Sequence, residues 1–153
     1  AAELLMPPEL VAAFLRRKKG ADLEHILALA DHFEVSRESA ARRYIAKADE
    51  LLAIIFSKDG CIRYIKPHKE FPRLSVWNRN DLPLGCYSRD CSLPVGEVSE
   101  WTEIPADTWF GDGVERYVYE QTIAQQKGFR MTLLSVEEAD EEDTALRGSP
   151  RFS

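Results

Sequence analysis

The chain has 153 residues, 44% hydrophobic and 30% charged, which fits one ordinary folded domain or two small ones and argues against disorder. No apolar run is long enough to cross a membrane, and a net charge of −6, with 20 basic and 26 acidic residues, argues against a general nucleic-acid binder. The charge is uneven, with residues 1–48 at +1 and the remainder at −7, as two modules would show.

The first six residues, AAELLM, form a strong helix former that stops at Pro7-Pro8. With no cap before it, this segment is expected to be the end of a helix that starts in a larger protein, with Leu4 and Leu5 contacting the missing part. Pro8 suits the first turn of a new helix, where its absent N–H is not needed. Leu10, Val11, Phe14 and Leu15 predict the buried stripe of that helix. Arg16-Arg17-Lys18-Lys19 favours its negative end, and Gly20 is the expected C-cap.

Residues 22–47 read as two short helices. Asp22 sits at the N-cap position of the first, and Leu23, Ile26, Leu27 and Ala30 fall at i, i+3, i+4 and i+7. Ser36 caps the second, whose inward side is Ala40, Ala41, Tyr44, Ile45 and Ala48. His32 to Val35 makes the turn, with Phe33 and Val35 filling the angle and Glu34 where glycine is usual. This is a helix-turn-helix pattern.

After Lys47 the texture changes. Leu51 to Phe56 is a short apolar run expected as a buried strand, Asp59-Gly60 is a hairpin signal, and Cys61 to Lys66 returns as a second strand ended by Pro67. Leu74 to Trp77 predicts a third strand, and Glu97 to Ile104 is expected to be extended. Pro83, Gly85, Pro94 and Gly96 mark a loop-rich middle. Arg116 to Ile123 and Phe129 to Val136 flank a second hairpin at residues 125–128. The fold expected is α+β: a short helical bundle with a helix-turn-helix, then an antiparallel β-sheet. Domain boundaries are placed at 1–48 and 49–136, with an acidic tail over 137–153.

Chemistry-bearing residues are sparse. His25, His32 and His68 do not form an H-E-x-x-H pair, and His25 and His32 lie two helical turns apart. Their plain reading is surface histidine. Cys86-x4-Cys91 with Cys61 and His68 has the residue types of a four-ligand zinc site but looser spacing, so free thiols are the simpler reading. Three cysteines cannot all pair within one chain, which favours a reducing cytoplasm. Trp77, Trp101, Trp109, Tyr117 and Tyr119 are candidate pocket walls or plain core. No glycine-rich phosphate loop or nucleophile elbow is present. Arg37, Arg42 and Arg43 on the second helix are the candidate DNA or partner contacts, as a recognition helix would use them. Against DNA stands the small charge balance of that module, with Glu34 and Glu38 nearby.

AAELLMPPEL at 1–10 resembles the end of the peptidase domain in the ImmA/IrrE family of zinc metallopeptidases. LADHFEVSRESAARR at 29–43 is similar to the helix-turn-helix that follows there, and FSKDGCIRYI, VYEQTIAQQKGFRMTLL and SPRF resemble the C-terminal region. The resemblance implies that the catalytic helix and its third zinc ligand lie upstream of Ala1; Glu3 does not match that ligand. It implies no cofactor in this chain, zinc in the missing N-terminal part, and an accessory region that docks a substrate or senses a signal. The implied partners are the protein's own peptidase domain and a repressor, cleaved to regulate transcription; no membrane is implied. The alternative is a helix-turn-helix DNA-binding regulator with a β-rich ligand-binding domain.

Overall fold

In a computed structural model the chain is described over residues 6–111 and 116–138. The expected helix over Ala1 to Met6, with Leu4 and Leu5, lies outside the described residues except for Met6, which is buried. The expected tail lies outside them from residue 139.

Among the described residues three helices come first: α1 (Pro8–Arg16), α2 (Leu23–Phe33) and α3 (Arg37–Lys47). Both expected N-caps form, with Asp22 accepting from the Glu24 amide at 2.8 Å and Ser36 from the Ser39 amide at 3.0 Å. The turn between α2 and α3 is residues 34–36. Glu34 ends α2 in the left-handed region at φ 54° and ψ 48°, the conformation glycine adopts without strain. At α1 the structure departs from the sequence reading. The helix ends at Arg16 with Arg17 as C-cap, so Gly20 lies past the end. Val11 is buried and Phe14 and Leu15 are half-buried, but Leu10 is 55% exposed, because among the described residues α1 is packed from one side only.

The sheet has five antiparallel strands in the order β2-β1-β5-β4-β3: β1 (Leu52–Lys58), β2 (Cys61–Pro67), β3 (Thr102–Ile104), β4 (Arg116–Ala124) and β5 (Phe129–Glu138). Both expected hairpins form. At the first, Asp59 and Gly60 have φ of 51° and 83°, the positive pair that a two-residue hairpin turn requires. Leu74 to Trp77 is not a strand. Leu74 and Val76 are half-buried under the sheet, and the Ser75 amide donates to the Trp109 carbonyl. Their alternation reflects one-sided packing without a ladder partner. The outer edge of β2 is met instead by residues 79–82, through Arg79 N to Ile62 O and Ile62 N to Asn80 O, each 2.8 Å.

β1 is buried from Leu52 to Ser57 because both sheet faces are covered. On one face α1, α2 and α3 pack against Leu52, Ile54, Phe56, Ile123, Met131 and Leu133. On the other, Ala53, Ile55, Val118, Leu134 and Val136 meet Leu82, Trp109 and Phe110 from the middle of the chain, including the short helices α4 (Tyr87–Asp90) and α5 (Ala106–Phe110). The fold is therefore α+β, with helices ahead of the sheet and one apolar layer running continuously across residue 48.

Candidate functional site

The candidate site is the junction of α3 with β2, where the three singled-out arginines stand. A helix advances by about 100° per residue, so Arg42 and Arg43 lie roughly 140° and 240° round from Arg37. No two of them share a face. Arg37 is exposed and lines an open groove of about 460 Å³ with Glu38, Gln125 and Phe129. Arg43 is half-buried on the opposite flank. Arg42 faces β2, and its Nη1 donates to the Tyr64 hydroxyl at 2.6 Å.

A bulge in β2 makes that contact. Phe56 pairs with Tyr64 but Ser57 pairs with Ile62, so Arg63 is an extra residue opposite β1. Before the bulge Ile62 faces the layer away from the helices, and after it Tyr64 faces them. One inserted residue reverses the alternation and re-aims the strand, as bulges do. Tyr64 stacks on Phe56 with ring centroids 4.4 Å apart. Its hydroxyl donates to Glu38 Oε1 at 3.0 Å, and Arg63 Nη1 donates to Glu38 Oε2 at 2.8 Å. The Arg63 guanidinium also lies 5.0 Å from the Phe129 ring centroid.

The electrostatics follow this chain of contacts. Burial works to raise the Glu38 pKa, but hydrogen bonds from Arg63 and Tyr64 and the charges of Arg63 and Arg42 outweigh it and hold the carboxyl below its usual value. Burial and the neighbouring Glu38 push the Tyr64 phenol up. The arrangement is a relay of hydrogen bonds, Arg42 to Tyr64 to Glu38 from Arg63, that fixes α3 on the sheet. It contains no activated nucleophile.

Two adjacent residues of β4 pin the covering layers to the sheet. Gln121 accepts from the Leu23 amide at 2.8 Å and donates to Asp22 and to the Ser99 carbonyl, each at 3.2 Å, which ties down the start of α2. Glu120 points the other way and is fully buried. It accepts from Trp109 Nε1 at 2.8 Å, the Ser88 amide at 3.0 Å and the Tyr87 amide at 3.2 Å. Burial raises its pKa despite these donors. Neither residue was singled out from sequence; the available signal was a polar run, Glu-Gln-Thr, inside an apolar strand.

The other candidates fall into packing roles. Trp109 is buried core, Trp101 donates to the Ala21 carbonyl at 3.1 Å, and Trp77 is 60% exposed. Tyr117 and Tyr119 are half-buried. His25 Nδ1 lies 3.1 Å from the Tyr44 hydroxyl, and burial lowers its pKa against the raising effect of Asp22. Burial lifts the Tyr44 phenol to about 12. His32 packs on the Phe14 ring at 4.7 Å, and His68 accepts from the Glu70 amide at 3.1 Å. Cys86 is buried, its thiol pushed up to about 11 by burial and then by Glu120, while Cys61 is exposed on β2 and Cys91 is half-buried. Among the described residues no three His, Cys, Asp or Glu side chains come together to hold a metal ion, so Cys61, Cys86, Cys91 and His68 do not fit a zinc site. Among the described residues no helix is long and apolar enough to cross a membrane. No protein-family model matches the chain, and no curated protein matches it.

Proposed function

We propose that the chain is an accessory, protein-docking region of an ImmA/IrrE-like metallopeptidase, cytoplasmic, serving a regulator that cleaves a repressor and so controls transcription. The reading rests on the motif resemblance at residues 1–10 and 29–43. One structural observation supports docking over DNA reading: α3 spends Glu38 and Arg42 on β2, while Arg37 and Arg43 splay to other sides. A recognition helix must present several base-reading side chains from one face at once. The alternative, a DNA-binding regulator with a β-rich ligand domain, draws on the short turn between two capped helices and on the exposed Arg37.

In the docking reading the zinc and the peptide-cleaving residues belong to an upstream peptidase domain, and this chain supplies a surface. That surface is the groove between α3 and the β4–β5 hairpin, with Arg37 at its rim, and it suits an acidic or carbonyl-rich segment of the repressor. The test is the coding sequence immediately upstream of residue 1. An in-frame H-E-x-x-H helix followed by a glutamate ligand is the expected result. A start codon directly before residue 1 would overturn the reading.

A further inference from the structure

Among the described residues α1 leaves an apolar strip uncovered. Leu10, Ala13, Phe14 and Arg17 recur at i, i+3, i+4 and i+7, which places them on one face. The strip borders an open groove of about 570 Å³ that α1 makes with the last turn of α2. Its floor is three rings in mutual contact. Phe14 lies 4.7 Å from His32 and meets Phe33 edge-on at 6.2 Å, and His32 meets Phe33 at 4.8 Å. Along α1, Leu10 stands exposed at one end of the strip, and Arg16, Arg17 and Lys18 line the other.

The fixed charges of this groove have one sign. Arg16, Arg17 and Lys18 line it with no carboxylate among them, whereas carboxylates line the other open spaces: Asp49 and Glu50 the cavity of about 210 Å³ below Lys18, Asp59 and Asp81 the one of about 520 Å³ beside Arg130, and Glu38 the groove at Arg37. Arg16, Arg17, Lys18 and Lys19 are exposed, and none forms an ion pair among the described residues. Both α1 and α2 end at this groove. Each helix end carries about −0.5 of a charge, so about −1 stands against three full cations and the groove stays positive. The classes of anionic partner differ in what else they need. A nucleic-acid strand stacks its bases on rings, but the Phe14 ring is already taken by His32 and by Lys18 Nζ at 5.1 Å. A bilayer takes up a protruding apolar face, and here the rings form a concave floor while Val11 fixes the flank of α1 in the core. An apolar ridge with carboxylates beside it, as on an acidic helix, fits both the floor and the cations.

We propose that this groove docks an acidic amphipathic helix of a partner protein, laid antiparallel to α1. A helix favours carboxylates in its first turn, and α1 carries its cations in and just after its last turn, so antiparallel packing brings the two together. From Arg17 back to Leu10 the strip runs about 10 Å, two helical turns. The partner therefore presents apolar side chains one and two turns after its acidic start, against Phe14, Phe33 and Leu10. The opposed helix dipoles favour the same direction. No residue of this groove lines the one between α3 and the β4–β5 hairpin, so the two surfaces are separate and the chain can hold two segments at once.

Fluorescence-anisotropy titration of the full chain tests this with two labelled synthetic peptides of equal composition. One has glutamates throughout its first turn and leucines one and two turns later; the other has that order reversed. The acidic-first peptide should bind with a Kd of about 10⁻⁴ M or tighter at low salt. The reversed peptide should bind about fivefold more weakly. Leu10→Asp and Lys18→Glu should each weaken the acidic-first peptide about fivefold or more, with the circular dichroism spectrum and urea midpoint unchanged. Raising salt from about 0.05 to about 0.5 M should weaken it severalfold, as screening of exposed charges requires. A Kd weaker than about 10⁻⁴ M at low salt, equal binding of the two peptides, or binding indifferent to Leu10→Asp would each overturn the proposal. So would tighter binding of phosphatidylserine vesicles or of a mixed-sequence duplex that Lys18→Glu abolishes, since the strip would then belong to a membrane or a nucleic acid.

Discussion

Glu120 is a carboxyl group in a dry place, held by N–H donors from Trp109, Ser88 and Tyr87. Glutamine in its place keeps the size but turns an N–H2 toward donors. Glu120→Gln should therefore cost about 1–3 kcal/mol in urea unfolding, the range for buried groups left unsatisfied. The pH dependence has a definite sign. Burial raises the folded-state pKa above 4.5, so the folded state holds this proton more tightly than the unfolded chain. That share of stability is present below about pH 4.5 and is lost as pH rises through the raised value, so the gap between wild type and variant should narrow over that window. Glu38 works in the opposite sense. Its lowered pKa contributes stability above the ordinary carboxylate range that is lost as pH falls through the folded value. At Glu34 the backbone is left-handed and the side chain exposed. Glu34→Gly relieves that strain and should raise stability by about 0.5–1 kcal/mol, read from the urea midpoint; a loss would show that the Glu34 side chain does something the turn needs. The Asp22 and Ser36 caps were legible in the sequence because each depends on its own residue and the next turn. Glu120 and Gln121 were not, because their partners lie 11 to 99 residues away.

At the scale of elements, α3 and β2 form one unit through Tyr64. Tyr64→Phe removes the hydroxyl that links Arg42 to Glu38 and should cost about 0.5–1.5 kcal/mol. A double-mutant cycle of Tyr64→Phe with Glu38→Gln is expected to show positive coupling; additivity would mean the link carries nothing. Ile45 is fully buried in the layer between α3 and the sheet, so Ile45→Ala should cost about 2–5 kcal/mol in the same assay. The strands β1 and β2 and their turn were readable from an apolar run and Asp-Gly. The bulge was not, since Ile62-Arg63-Tyr64 alternates normally in sequence and only the register against β1 shows the extra residue. The exposure of Leu10 escaped for a related reason. Periodicity gives the face a helix can bury, not how many neighbours arrive to bury it.

On the scale of the molecule, composition and pattern indicated α+β with helices first, and the structure has that order. The apolar layer shared by helices and sheet was not legible, because a change of texture at residue 48 looks the same whether the parts pack together or stand apart. The docking reading proposed above depends on which surface α3 leaves open. A net charge of −6 and a helix whose Arg42 is engaged by the sheet give little long-range attraction for DNA. Fluorescence-anisotropy titration of the full chain with genomic-fragment and mixed-sequence duplexes, over a range of salt, tests this most directly. The account predicts only weak, sequence-indifferent binding, with Kd no tighter than about 10⁻⁶ M at physiological salt and little change on Arg42→Glu. Nanomolar binding to one sequence, abolished by Arg42→Glu in a chain that remains folded, would contradict it.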